Sequence, residues 1–283
     1  MSLDVNWLRT KFPVLQNLIP IGSGGQKWVF SADHPSDGAV VLKLIQPRMS
    51  IDLVTREISA VRQVASPRVP EILDAGEIDT PLGKCFWFRE RRIEGSPVSD
   101  LLRLGPLDIV RVLRLGLHTL EALAKSEQER IVHRDVKPAN IICDKQDSFW
   151  LLDFGLARHL QLTSLTPTAD AFGKCTPGYA PPEQIHNVKR DIDSRADLFA
   201  LGVTLFECAT GRNPFHDGAR DVLEVLRRVE TRPLPLLKLS FGSANEFRDL
   251  IACMTQKRRD HRPRTAQAAL TWIQEICVRE NVR

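Results

Sequence analysis

The stretch Ile131-Val132-His133-Arg134-Asp135-Val136-Lys137-Pro138-Ala139-Asn140 constrains this chain more than any other. Apolar pairs flank it, Ile131-Val132 before and Ile141-Ile142 after, and between them Asp135, Lys137 and Asn140 stand at spacings of two and three. Further on, Trp150-Leu151-Leu152 runs into Asp153-Phe154-Gly155. Short apolar runs beside polar residues predict short strands whose ends carry functional loops. An Asp that can accept a proton, a Lys that can neutralise phosphate, and an Asn and a second Asp that can hold a hard cation make a phosphoryl-transfer set.

Composition narrows the classes without choosing one. Apolar content of 43% and charged content of 26% are ordinary for a soluble globular protein of 283 residues. The formal charge of +4 suits an acidic ligand such as a nucleotide and does not demand nucleic acid. Six cysteines are scattered without close pairs, which argues against a disulfide framework or a zinc site and for a reducing compartment. The apolar run Leu198 to Phe206 is too short to cross a bilayer, and the N-terminus lacks a basic-then-apolar secretory pattern. The expectation is a cytoplasmic location, with no membrane segment and no nucleic-acid partner.

Before the central stretch, residues 1–20 carry few signals; Trp7, Phe12 and Leu15 are expected to pack on the first lobe. Gly22-Ser23-Gly24-Gly25 reads as a glycine turn between two strands, where backbone N–H groups can approach a phosphate. Taken alone, it is better read as a plain hairpin turn. Ala39-Val40-Val41-Leu42-Lys43-Leu44 reads as a β-branched strand, and a Lys there is by itself an edge or snorkelling residue. From Ser50 a helical apolar period runs past Glu57, which taken alone is a boundary carboxylate. Ile72 to Ile78 and Cys85 to Glu90 read as strands, and Arg89-Glu90-Arg91-Arg92-Ile93-Glu94-Gly95 as a hinge whose basic cluster is a solvated face.

After Gly95 the pattern turns helical, with a short helix at Leu101-Leu102 and a long one from Leu107 to Lys125. The segment Asp153 to Glu183 is long and without periodicity, which in a compact domain usually marks function. It ends Cys175-Thr176-Pro177-Gly178-Tyr179-Ala180-Pro181-Pro182-Glu183. Asp193 to Gly202 opens an almost wholly apolar helix, in which Asp197 could be a simple dipole partner. Three amphipathic helices are expected near 218–230, 243–254 and 265–279. Lys257-Arg258-Arg259, between the last two, reads as solvated.

Taken together and in order, these motifs resemble the eukaryotic-type Ser/Thr protein kinase catalytic domain over roughly residues 15 to 275. Lys27 replaces the third glycine of that family's loop, Val41 stands where it prefers Ala, and Cys175 and Pro181 replace a Gly and an Ala near the end of the activation segment. The resemblance implies an α+β, two-lobed fold: an N-lobe over 1–94 with a small antiparallel sheet and one main helix, and a mostly helical C-lobe over 95–283.

It also implies roles. Asp135 orients and deprotonates the acceptor hydroxyl, and Lys137 steadies the γ-phosphate. Asn140 and Asp153 hold Mg²⁺, or Mn²⁺. Lys43, paired with Glu57, grips the α- and β-phosphates of ATP. Gly22, Ser23, Gly24, Gly25, Val29 and Val41 border the nucleotide. Thr176 and Lys137 mark a Ser/Thr acceptor in a protein substrate, the chain itself included. Asp197 braces the loop, Glu183 pairs with Arg262, and a phosphate on Thr166 or Thr168 reports to Arg134. A small-molecule kinase of related fold and a pseudokinase scaffold are the alternatives. The first usually lacks a Lys two residues after the Asp, and the second requires a lost catalytic residue.

Overall fold

The computed structural model describes residues 3–24, 27–45, 66–153, 175–186 and 192–282. The helix expected from Ser50, with Glu57, lies outside them, as do Gly25, Phe154-Gly155, Thr166 and Thr168. So does the side chain of Ser23, although its backbone is described. The chain divides into two compact units, one formed by Met1–Ala65 and Pro70–Ile93, the other by Ser66–Val69 and Glu94–Arg283.

The first unit is a five-stranded antiparallel sheet in the order β1-β2-β3-β5-β4. Its strands are β1 (Gln16–Gly24), β2 (Lys27–His34), β3 (Gly38–Ile45), β4 (Ile72–Thr80) and β5 (Gly83–Arg91). Side chains alternate across the pleat, so Val40, Leu42 and Leu44 of β3 join Leu18, Trp28 and Phe30 in one core. A helix the sequence did not announce, α1 (Val5–Lys11), covers that face through Leu8. Asp4 starts it by accepting the N–H of Asn6 at 2.9 Å. Trp7, Phe12 and Leu15 pack on the same core, as expected. The opposite face of β3 carries Val41, Lys43 and Ile45.

The expected solvated hinge needs correction. β5 runs on to Arg91, and both Arg89 and Glu90 are buried. Arg89 is matched by acids from neighbouring chain segments: Nη1 lies 2.7 Å from Asp37 and Nε 2.9 Å from Asp74. Local sequence shows a run of charges; the paired carboxylates come from elsewhere in the chain. Arg91, half-exposed and 3.3 Å from Glu71, behaves as a surface residue.

The second unit is mostly helical. β6 (Gly95–Pro97), β7 (Ile141–Asp144) and β8 (Phe149–Leu151) make a small sheet in that order. Ile131-Val132 was expected to be a strand and is not one; the Ile131 N–H instead returns to the Ser126 carbonyl at the end of a helix. Helix α2 (Val98–Leu102) precedes α3 (Ile109–Gln128), which Asp108 caps by accepting the N–H of Arg111 at 3.0 Å. After the short helix α4 (Pro182–Ile185), helices α5 (Ser194–Thr210) and α8 (Ala266–Arg279) pack against α3. A Cβ on Gly116 of α3 would meet Ile273 Cδ1 of α8 at 2.4 Å, so glycine sets how closely these two helices approach. α5 is buried along most of its length and ends at Gly211, whose φ of +75° is the left-handed cap conformation. Helices α6 (Val222–Thr231) and α7 (Ala244–Met254) complete the expected series.

Candidate active site

The site grows from the short connection between α3 and β7. Pro138 fixes the first turn of a 3₁₀ helix, Pro138–Asn140, which delivers Asn140 directly into β7. Asn140 Nδ2 donates to both the backbone oxygen and Oδ2 of Asp135, each at 2.8 Å. Lys137 Nζ lies 2.9 Å from Asp135 Oδ1 and 2.8 Å from Oδ2. It also donates to Thr176 Oγ1 at 2.8 Å, and the Thr176 hydroxyl donates to Asp135 Oδ1 at 2.6 Å. One carboxylate is thus gripped by an ammonium, an amide and a hydroxyl brought from 41 residues away. Each donor fixes its orientation.

The loop backbone is held from α5. Asp197, almost wholly buried, accepts the N–H of His133 at 2.8 Å and that of Arg134 at 2.6 Å. Burial pushes its carboxyl pKa upward, against the downward pull of the His133 ring and of those two N–H bonds. Asp197 therefore does more than face a helix dipole. Arg134 has a left-handed φ of +66°, and its carbonyl accepts Gln184 Nε2 at 2.8 Å. Strain at a non-glycine residue is held in place by these bonds. Gln184 had no sequence signal, because the bond spans 50 residues.

His133, given no role by the sequence, ties the loop to the strand that leads to Asp153. Its Nδ1 accepts the Asp135 N–H at 3.2 Å, so its Nε2 carries the proton donated to the Leu152 carbonyl at 2.7 Å. Leu152 in turn donates its N–H to the Asn140 carbonyl at 2.8 Å. These bonds bring the chain at Asp153, with its φ of +63°, beside Asn140. The amide oxygen of Asn140 and the carboxylate of Asp153 are the hard oxygen donors that Mg²⁺ takes, so the donor chemistry fits a bound Mg²⁺.

The segment carrying Thr176 is anchored separately. Tyr179 OH donates to Glu207 Oε2 on α5 at 2.6 Å, and the His216 ring bonds the Pro177 carbonyl at 2.9 Å. Glu183 meets Arg262 in a two-pronged pair of 2.6 and 2.9 Å. Arg262 has no exposed side-chain surface. Beside Asp135, the Cys175 thiol is pushed up to about 11, first by burial and then by the carboxylate charge, so it is a protonated thiol at neutral pH.

Lys257 departs from the solvated face expected for it. Its Nζ is buried with no hydrogen-bond partner among the described residues and sits 4.5 Å from the Phe215 ring centre. In the sheet unit, Lys43 pairs with Glu90 at 2.5 Å. Its expected partner Glu57 lies outside the described residues, and Glu90 was not foreseen in this place. Val29 and Val41 lie on adjoining strands, with Val29 opposite Lys43 and also opposite Gly22.

An antiparallel sheet unit, a helical unit and an Asp-Lys-Thr-Asn cluster at the mouth of a small sheet define the protein kinase class, and the chain belongs to it: residues 15–273 match the Protein kinase domain family. Among individual proteins, it is 32% identical over 242 residues to Serine/threonine-protein kinase PknD of Mycobacterium tuberculosis, covering 83% of this chain and 35% of that protein. It is 32% identical over 214 residues to Serine/threonine-protein kinase PknB of Mycolicibacterium smegmatis, covering 75% and 33%. A Probable serine/threonine-protein kinase of Clostridium perfringens, CPE1738, is 26% identical over 269 residues, covering 93% and 38%. The chain therefore spans about a third of the length of these relatives. No described helix is long and apolar enough to cross a membrane.

Proposed function

We propose that this chain transfers the γ-phosphoryl group of ATP to Ser or Thr hydroxyls of proteins, itself included, using Mg²⁺ or Mn²⁺, in the cytoplasm. The observation that carries the reading is the cluster in which Lys137, Thr176 and Asn140 converge on one carboxylate, Asp135. Family membership and the similarity to Ser/Thr-protein kinases support the substrate class.

The roles follow from charge and position. Bound Mg²⁺ would neutralise phosphate charge as it develops, held by Asn140 and Asp153. Asp135 receives the acceptor proton; its present Thr176 bond shows that one of its oxygens takes a hydroxyl donor at 2.6 Å. Lys137, already bonded to Asp135, balances negative charge on the incoming phosphoryl group. Lys43 grips the inner phosphates, with Gly22, Ser23, Gly24, Gly25, Val29 and Val41 around the nucleotide and Glu57 as a further partner. The lobes are assigned as 1–94 and 95–283. A phosphate on Thr168, or on Thr166, switches activity through Arg134.

The test is purified protein with labelled ATP, Mg²⁺ and a generic protein substrate, read as phosphoamino acid type. Phosphoserine or phosphothreonine is expected. Asp135→Asn and Asp153→Asn each should lower turnover by about a hundredfold or more, with unchanged melting. Turnover within a few-fold of wild type in either variant would overturn the assignment.

A further inference from the structure

Lys43 and Glu90 stand on the two neighbouring strands β3 and β5. The register pairs Lys43 with Phe88 and Val41 with Glu90. Lys43 and Glu90 are therefore diagonal neighbours on one face of the sheet, within reach for long side chains. The Lys43 ammonium lies 2.5 Å from Glu90 Oε1 and 5.4 Å from the Phe88 ring centre. Both residues are buried, at 4% and 7% exposure. Neither strand is at the sheet edge. A carboxylate at such a place is costly unless it is paired, and an apolar residue would pack there without that cost.

We propose that Glu90 is a positioning residue for phosphate binding: it fixes the Lys43 ammonium from within the rigid sheet, in addition to any carboxylate supplied by a helix. This rests on the reading of Lys43 as the lysine that grips nucleotide phosphates. An ammonium has three N–H donors, and the Glu90 bond takes one of them. A buried ammonium without an anion is driven toward the neutral amine; Glu90 opposes that from a strand that cannot swing away. Lys43 is then aimed independently of where a helix carboxylate stands.

The experiment is calorimetric titration of the full chain with MgADP and, separately, with adenosine, which lacks phosphates. Wild type, Glu90→Gln, Lys43→Met and the double variant are compared. Glu90→Gln is expected to weaken ADP by about tenfold and to leave adenosine unchanged. In the Lys43→Met background it should cost nothing further. Glu90→Asp, which keeps the charge, should lose less than Glu90→Gln, again for ADP alone. If Glu90→Gln does not fold, the ADP and adenosine comparison on Glu90→Asp decides. Unchanged or tighter ADP binding, an equal loss for adenosine, or the same loss without Lys43 overturns the proposal. If Lys43→Met itself binds ADP as wild type does, the lysine reading fails and this inference with it. A normal Lys43→Met loss beside a silent Glu90→Gln overturns only the inference.

Discussion

Replacing Glu183 by Ala should unfold this chain more readily than any surface change. The partner left behind, Arg262, cannot escape to water. Its Nε donates to the Gln256 carbonyl at 2.7 Å, Nη1 to the Arg195 carbonyl at 3.0 Å and Nη2 to the Lys257 carbonyl at 3.1 Å. The guanidinium also lies 5.0 Å from the Phe199 ring centre. With the two Glu183 bonds, all five N–H donors are used. After Glu183→Ala three bonds still hold the group in place, and the charge is stranded in a site without exposed surface. Breaking one side of such a pair costs about 3–5 kcal/mol. For a chain of this size that lowers the melting temperature by about 10 °C. Glu183→Gln, which keeps the shape and loses the charge, should fall between wild type and Ala. Glu183→Ala/Arg262→Met should cost less than the two single changes added, because no charge remains buried. Melting followed by circular dichroism, with urea titration, reads wild type, the three single variants Glu183→Ala, Glu183→Gln and Arg262→Met, and the double variant. A loss below about 1 kcal/mol for Glu183→Ala would show that the pair is worth no more than a surface salt bridge, and the reasoning would be wrong.

Three further outcomes are expected. His118 accepts the Phe149 N–H at 3.1 Å, and burial, then Arg68 and Arg114, pull its pKa down to about 4 from 6.5. Between those values the unfolded chain binds the extra proton, so wild type should lose stability as pH falls from about 6.5 to 4; urea midpoints of His118→Gln should lack that part of the slope. Burial, then Arg262, lowers Lys257 from 10.5 to about 8, so its contribution to stability should rise between pH 8 and 10.5, and the wild-type minus Lys257→Met difference should rise with it. Incubation with ATP and Mg²⁺ should add phosphate at Thr168 or Thr166, seen by intact mass and site mapping, and Thr166→Ala/Thr168→Ala should lose about tenfold or more in activity; a fully active double variant would rule the switch out.

What the sequence made legible is what lies close together along the chain. Asp135, Lys137 and Asn140 share one loop, so their spacing alone announced the chemistry, and Asp153 follows after the two short strands β7 and β8. The amphipathic helices near the C-terminus could be read because their apolar period is local. What stayed hidden depends on distant partners. Arg89 and Glu90 looked solvated because Asp37, Asp74 and Lys43 belong to other parts of the sheet. Lys257 looked the same beside two arginines, while the rings that cover it, Phe199 and Phe215, come from 58 and 42 positions earlier in the chain. Gln184 and the backbone it holds are likewise joined only by folding. Helix α1 is seven residues long, too short for a periodic signal.

The two N–H bonds from His133 and Arg134 to Asp197 span 64 and 63 residues. Ribosomes make chains from the N-terminus, so the loop bearing Asp135 emerges well before the helix that shapes it. Until residues 194–210 exist and dock, Arg134 has no reason to keep its left-handed turn, and Asp135 lacks the Thr176 and Lys137 geometry around it. A nascent chain of this sequence therefore lacks the Asp197 bonds to this loop until the helix over 194–210 has been made. Its loop geometry is completed late, in step with the packing of its helical unit.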